Sequence, residues 1–201
     1  TGSTCGMRRS ADARRVSDAL KLRRAVLALL SARPAGEEDC RIACEASPDA
    51  WEIVLACECC ALPLAARLRA GALQGTLSRE VHGRIAAAEL VETQRVLAAR
   101  AILDELDEEG AELGIDIVIL KGGAHAGEPG TQPLDLADVD AMIDDHAADA
   151  LWNRLAARGW RLQTGARMPA AAQRLDSNHF VPIIPAADSL FLELHMRAEY
   201  G

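Results

Sequence analysis

The chain has 201 residues, half of them apolar and only 3% aromatic, which is enough for one domain whose alanine- and leucine-rich core favours helices. A net charge of −8 and a pI of about 5.1 argue against binding of long nucleic acid, which needs basic surface, but allow a nucleotide whose charge a metal neutralises. No stretch resembles a membrane span or a signal peptide, so we expect a cytoplasmic protein with reduced thiols and no membrane partner.

The first half of the chain is predicted to be helical. Residues 1–6 are expected to be a cloning remnant ahead of a natural Met7. Ser47 and Pro48 are a typical start signal, a capping hydroxyl followed by proline at the first helical position, and Pro63 is expected to stop that helix. The apolar spacing predicts helices over residues 14–32, 37–46, 48–61, 64–72 and 78–113.

The pattern changes at residue 115, where a short β-branched run predicts a buried strand. The remaining predicted elements are a turn at 121–123, a short helix or loop over 124–133, a strand over 136–143, a helix over 146–158, a strand over 160–163, a short helix over 169–175 and a hairpin of 179–184 with 190–196. The predicted fold class is therefore α+β. A helical region, 7–113, precedes a small mixed β-sheet domain with flanking helices, 114–201.

Two aspartates stand in the second predicted strand, in the order Asp138-Val139-Asp140. Side chains two apart on a strand point to the same face, so the two carboxylates share a face. Burying them is costly unless a positive group compensates, and Mg²⁺ (or Mn²⁺) is a usual partner of carboxylate oxygens. Glu193 and His195 share a face of the last strand by the same rule. If the two strands are neighbours, Asp138, Asp140 and Glu193 form a metal-dependent phosphoryl-transfer site.

A glycine pair ends the first predicted strand, in Lys121-Gly122-Gly123. Glycines let backbone N–H groups approach a phosphate, and the start of a following helix favours an anion. Lys121, one of only two lysines in the chain, adds a cation beside them. A glycine pair or a D-x-D pair alone is usually structural. The ordered set of strand, glycine pair, D-x-D strand, helix and late acidic strand predicts a nucleotidyltransferase core.

These motifs carry a family resemblance. The segment 117–124 (IVILKGGA), the D-x-D strand and the segment 192–195 (LELH) together resemble the little-characterised LLKG…DxD…LHW branch of the nucleotidyltransferase superfamily, relatives of the DNA polymerase β fold. The resemblance covers about residues 62–197, including the long helix over 78–113. It implies that Asp138 and Asp140 bind Mg²⁺ and the triphosphate, and that Gly122 and Gly123 hold the β- and γ-phosphates. Glu193 would match the third acid, which binds metal or takes the proton of the attacking hydroxyl.

The reaction implied by the resemblance is transfer of a nucleoside monophosphate from an NTP to a hydroxyl or similar nucleophile, with release of pyrophosphate. The acidic composition favours a small molecule, a peptide or a protein as the acceptor over a polynucleotide. His195, on the face of Glu193, is expected either to contact phosphate or orient Glu193, or else to be a hydrogen-bonded residue of the sheet.

Some positions depart from the branch and motivate an alternative. Leu134 stands where the branch often has an arginine, Ala137 replaces the usual Gly or Ser, Met196 replaces an aromatic residue, and the chain ends at Gly201 where relatives usually continue. The alternative is a degenerate nucleotide-binding or partner-binding module without catalysis. Transfer of phosphate instead of a nucleotidyl group is a third hypothesis.

Five cysteines in the helical half suggest one more alternative, a thiol-based zinc site in a helical interaction protein. The spacing matches no familiar zinc module, and cysteine is common as a small buried residue, so core packing is the favoured interpretation. These cysteines are Cys40, Cys44, Cys57, Cys59 and Cys60.

Overall fold

The structure is a computed structural model. It describes residues 4–31, 35–71, 77–127, 136–163, 174–176, 179–180, 182–186 and 190–197. The chain forms two compact units, Thr1–Thr93 and Gln94–Gly201, and each is described by itself below. None of the described helices is long and apolar enough to cross a lipid bilayer.

The first unit is built of helices around a core that includes the fully buried Trp51. The indole Nε1 of Trp51 donates a hydrogen bond to the carbonyl oxygen of Ala43 at 3.2 Å, so this large side chain is satisfied within the core. A long helix, α5, begins in this unit and continues into the second. The helices are α1 (Thr4–Leu30), α2 (Glu37–Glu45), α3 (Pro48–Glu58), α4 (Ala61–Arg69) and α5 (Arg79–Leu113).

The start of α3 is confirmed, because the Ser47 hydroxyl accepts a hydrogen bond from the Ala50 amide at 3.2 Å and Pro48 begins the helix. The prediction that Pro63 stops this helix is wrong. Helix α3 ends at Glu58, where Cys59 adopts a left-handed conformation with φ of 43°. Pro63 instead lies in the first turn of α4, where a missing amide hydrogen costs no helical hydrogen bond.

A buried carboxylate of α5 caps the start of α4. Glu92 accepts hydrogen bonds from the amides of Ala61 at 2.7 Å and Leu62 at 2.9 Å. The first amides of a helix have no partner within the helix, so a side chain from another element must satisfy them when they are buried. Glu92 therefore ties α4 to α5.

The second unit is a mixed sheet with flanking helices, so the predicted α+β class is confirmed. Strand β2 runs parallel to β7, and the other strand pairs are antiparallel. The main strand order is β1-β2-β7-β5-β4, with β6 pairing β7 and β3. The elements after α5 are β1 (Val118–Leu120), α6 (Lys121–Gly127), β2 (Asp138–Asp144), a 3-10 turn (Asp145–Ala147), α7 (Ala148–Ala157), β3 (Arg161–Leu162), β4 (Arg174–Asp176), β5 (His179–Phe180), β6 (Ile183–Ile184) and β7 (Phe191–Arg197).

Three predicted elements need correction. The first strand begins at Val118 and not at residue 115, so it is half as long as its apolar run. The glycine pair lies inside the first turn of α6 and not in a turn ahead of it. In the predicted helix 169–175, residues 174 and 175 belong to β4 instead, and residues 169–173 lie outside the described part of the chain. The predicted hairpin is confirmed, because β5 and β6 both run antiparallel to β7.

Helix α7 is fastened to α5 by a buried acid. Glu109, with 0% of its surface exposed, pairs with the Nε atoms of Arg154 at 2.6 Å and Arg158 at 2.5 Å. Earlier in α5, Glu105 accepts a hydrogen bond from the indole of Trp160 at 2.7 Å. These contacts hold the helices that cover one face of the sheet, and the opposite face carries the acidic residues.

Candidate active site

The acidic residues of β2 and β7 lie side by side on one face of the sheet. In the parallel register, Asp140 pairs with Glu193 and Asp138 pairs with Phe191. The alternate residue of β2, Val139, is fully buried in the core on the other face. Asp138 and Asp140 are therefore directed away from that core, because successive side chains of a strand point to opposite faces.

Asp140 is the centre of the cluster. Only 3% of its surface is exposed, yet both of its carboxylate oxygens have a partner. Oδ1 lies 2.8 Å from Nε2 of His195, and Oδ2 lies 3.0 Å from Nζ of Lys121. A buried carboxylate needs such partners, since an uncompensated charge in a dry environment is strongly unfavourable.

The partners of Asp140 keep it ionised. Burial by itself would raise the pKa of Asp140, but the hydrogen bonds and electrostatic attraction from His195 and Lys121 outweigh it and lower the pKa below its ordinary value. The pKa of Lys121 is raised in return, first by its hydrogen bond to Asp140 and then by the charges of Asp140, Asp138 and Glu193. The ammonium group of Lys121 therefore lies in the field of all three carboxylates.

The geometry suits a divalent cation. One ligand atom from each of Asp140, Glu193 and His195 can be chosen so that all three lie within 4.8 Å of one another. Carboxylate oxygens are the ligands that Mg²⁺ and Mn²⁺ favour, and an imidazole nitrogen is compatible with Mn²⁺. Asp138 lies on the same face but outside this group of three. Of the predicted metal ligands, the structure thus brings Asp140 and Glu193 together. It adds His195, which was expected to contact phosphate, to orient Glu193 or to be a hydrogen-bonded residue of the sheet, and whose side chain contacts Asp140.

Lys121 is held in an unusual backbone conformation at the junction of β1 and α6. Its φ of 48° lies in the left-handed region, which is strained for a residue with a Cβ atom. The residue before it, Leu120, pairs with Asp140 in the antiparallel register of β1 and β2. That junction therefore delivers the Lys121 side chain to the acidic face, with 70% of the side chain exposed to solvent.

The second of the two glycines that follow, Gly123, allows α6 to lie close to the sheet. A Cβ atom at Gly123 would lie 3.0 Å from Ile119 Cγ2 and 3.4 Å from Val139 Cγ1, so a side chain there would require these neighbours to shift by a few tenths of an ångström. The far end of α6 is held by Arg100 of α5, whose Nε donates to the Ala126 carbonyl at 2.8 Å. Gly123 thus lies in the first turn of α6 next to Val139, in the strand that carries Asp138 and Asp140.

A groove in the second unit is a separate feature from the acidic face. Its volume is about 550 Å³, and it lies on the side of β1 that Ile119 faces, away from the carboxylates. The chemistry of the cluster, and not the size of a cavity, therefore locates the candidate site. Residues lining the groove include Leu103, Asp104, Asp107, Ile115, Asp116 and Ile117.

The thiols do not form a comparable site. Within the described ranges, the cluster of Asp140, Glu193 and His195 is the sole group of three or more His, Cys, Asp or Glu residues close enough to share a metal ion. Cys60 is buried, and that burial raises the pKa of its thiol to about 11, which disfavours the thiolate form that binds zinc. Cys60 belongs to the core of the first unit and Cys40 and Cys44 pack against that core, whereas Cys57 is exposed.

The fold and the acidic face together define a nucleotidyltransferase-type domain. Residues 60–200 match the family described as uncharacterised nucleotidyltransferase, and since this is more than half of the chain, the protein belongs to that family. No curated protein matches the chain. No solved structure matches it either.

Proposed function

We propose that the chain transfers a nucleoside monophosphate from an NTP to a hydroxyl or similar group of a small molecule, a peptide or a protein. The observation that carries the proposal is the pairing of Asp140 with Glu193 across two parallel strands, with Asp138 on the same face and Lys121 beside them. Family membership supports the same reaction class. A basic surface for long nucleic acid is not expected of a chain with a net charge of −8.

Asp140 and Glu193, with Asp138 next to them, are proposed to hold Mg²⁺ or Mn²⁺, and His195 either completes the group or orients Asp140. A divalent cation there neutralises phosphate charge and favours deprotonation of the acceptor hydroxyl. Lys121 and the first backbone amides of α6, at Gly122 and Gly123, are proposed to receive the triphosphate. Glycines at these positions leave the amides free of side-chain obstruction.

In the proposed reaction the acceptor oxygen attacks the α-phosphorus of the NTP and forms a new phosphorus–oxygen bond. The bond from the α-phosphorus to the oxygen bridging the β-phosphate breaks, and pyrophosphate leaves. The acceptor proton passes to a carboxylate of the cluster, for which Glu193 is proposed, since each oxygen of Asp140 already has a side-chain partner, His195 on one and Lys121 on the other. Because Asp140 is kept ionised and buried, its charge is available without prior proton loss.

The first test is calorimetric titration of each Mg²⁺-NTP into the wild type and into Asp138→Asn/Asp140→Asn. Asp144→Asn is the matched control. Asp144 is on the same strand, and by strand alternation it points to the same face as Asp138 and Asp140, but it is exposed at the end of the strand. Binding that the double variant loses and the control keeps would support the proposal. No binding of any NTP to folded wild type would overturn it.

Product analysis separates the remaining alternatives. The nucleotide that binds best would be incubated with panels of hydroxyl- and amine-bearing small molecules and peptides, and the products would be analysed for pyrophosphate and ADP. Pyrophosphate indicates nucleotidyl transfer, whereas ADP (or the corresponding NDP) indicates phosphate transfer. Tight binding with neither product, across all acceptors, would favour the degenerate binding module.

A further inference from the structure

Lys121 contacts one of the two carboxylate oxygens that Asp140 can offer to a cation. Its Nζ lies 3.0 Å from Oδ2 of Asp140, and His195 already contacts Oδ1 at 2.8 Å. A divalent cation coordinated by Oδ2 would lie about 2 Å from that atom, so it would be within roughly 5 Å of the Lys121 ammonium. Two such charges repel each other strongly in a partly buried site.

The side chain of Lys121 is free to leave this contact. It is 70% exposed, whereas the side chain of Asp140 is only 4% exposed, so Lys121 can swing outward without disturbing the core. The contact is nevertheless reinforced by the whole cluster, because the charges of Asp138 and Glu193 also favour the ammonium form. An NTP entering the site would bring a competing set of negative oxygens for the same ammonium.

The backbone at Lys121 gives a second reason to assign it a role. Its left-handed φ of 48° would suit glycine better, and two glycines follow directly in the sequence. A lysine at this position is locally strained, and its side chain forms the contact with Asp140 that a glycine could not form.

We propose that Lys121 competes with the divalent cation for Asp140 and releases it when a triphosphate arrives, so that metal and nucleotide bind cooperatively. This inference rests on the proposed function and adds to it the order in which Lys121, the cation and the nucleotide occupy the site. Without nucleotide, Lys121 neutralises the acidic cluster and weakens metal binding. With nucleotide, the ammonium moves to the phosphates, and the carboxylates become available to the cation. The expected coupling falls within the usual five- to 150-fold range for linked sites.

The test is Mn²⁺ titration, followed by electron paramagnetic resonance, with and without a non-hydrolysable α,β-methylene NTP. In Lys121→Met we expect Mn²⁺ alone to bind about tenfold more tightly than in wild type, and the gain in Mn²⁺ affinity on adding nucleotide to shrink by a similar factor. Lys121→Arg keeps the charge and should keep the coupling. Lys21→Met removes the chain's other lysine, on α1, and should behave as wild type.

Lys121→Gly provides a second variant in case Lys121→Met folds poorly, because glycine relieves the left-handed strain while still removing the ammonium. Equal Mn²⁺ affinity in wild type and in both neutral variants, with binding still lost in Asp138→Asn/Asp140→Asn, would overturn this inference alone. Absence of Mn²⁺ binding by wild type with and without nucleotide would overturn the proposed function as well.

Discussion

His195 on β7 and Asp140 on β2 are joined by a contact of 2.8 Å between Nε2 and Oδ1, so the two parallel strands are linked by side chains as well as by backbone pairing. With Lys121 on the other oxygen, this contact keeps a nearly buried carboxylate ionised. The pair therefore connects the stability of the sheet to the charge state of the candidate site.

The lowered pKa of Asp140 predicts a definite pH dependence of stability. Asp140 is ionised in the folded chain at pH values where it is protonated in the unfolded chain, so its contribution is fully present above the ordinary pKa near 4. That contribution is lost as the pH falls through the lower folded pKa. The stability difference between wild type and Asp140→Asn should therefore shrink as the pH falls below about 4.

Urea unfolding of both proteins between pH 2 and pH 5, followed by circular dichroism, measures this difference. Asp144→Asn serves as the control, because Asp144 is exposed on the same strand. A difference between wild type and Asp140→Asn that grows toward acid pH would contradict the assigned direction of the pKa shift.

Glu193 is predicted to contribute to metal binding and not to folding. Its side chain is half-buried and lies within 4.8 Å of the ligand atoms of Asp140 and His195. Glu193→Gln keeps the shape and removes the charge, so Mn²⁺ affinity in the presence of nucleotide should fall at least about tenfold, a loss of roughly 1.4 kcal/mol, while thermal stability changes little. Isothermal titration with Mn²⁺ and a melting curve test this together. Unchanged Mn²⁺ affinity would remove Glu193 from the metal group.

The buried pairing of Glu109 predicts strongly non-additive mutations. Each of Arg154 and Arg158 alone can still compensate the fully buried carboxylate, but their joint removal leaves it without a cation. The double variant Arg154→Ala/Arg158→Ala should lose about 3–5 kcal/mol, more than the sum of the single variants. Adding Glu109→Met removes the stranded charge and should restore part of the loss. Urea unfolding of the four variants decides this, and simple additivity would count against the pairing.

Glu92 is predicted to stabilise the first unit through the start of α4. Glu92→Ala leaves the buried amide of Ala61 and the partly buried amide of Leu62 without an acceptor, which costs about 1–3 kcal/mol, and Glu92→Gln should cost less because one acceptor oxygen remains. Glu80→Gln, at an exposed position of the same helix, is the control. Chemical denaturation of the three variants ranks them, and the prediction fails if alanine and glutamine are equivalent at this position.

Sequence patterns predicted the parts of the fold that depend on local signals. The α+β class, the long helix α5, the Ser47 cap and the late hairpin all follow from residue types within a few positions. The end of α3 was missed because Cys59 adopts the left-handed conformation that ends the helix, and glycine is the usual sequence signal for that conformation. The start of β1 was misplaced because an apolar run does not show where its strand partner begins, and Val118 is the first residue opposite β2.

In the candidate site, too, the features set by local sequence could be predicted and those set by tertiary packing could not. The shared faces of Asp138 with Asp140 and of Glu193 with His195 follow from strand alternation, and the parallel pairing of β2 with β7 brings the two faces together. The contact of Lys121 with Asp140 depends on the left-handed backbone at Lys121 and on the register of β1. Neither can be read from the order of residues, because both are set by tertiary packing.

Thiol reactivity provides a prediction about the cysteines that does not depend on the proposed function. Cys57 is exposed, whereas Cys60 is 3% exposed and burial raises the pKa of its thiol to about 11. The thiolate is the reactive form, so at pH 8 iodoacetamide should modify Cys57 well before Cys60 in the folded protein, and both at similar rates in denaturant. Peptide mass spectrometry over a time course measures the two rates, and Cys57→Ser verifies the assignment. If Cys60 were modified as quickly as Cys57 in the folded protein, the buried position of Cys60 beside α4 would be wrong.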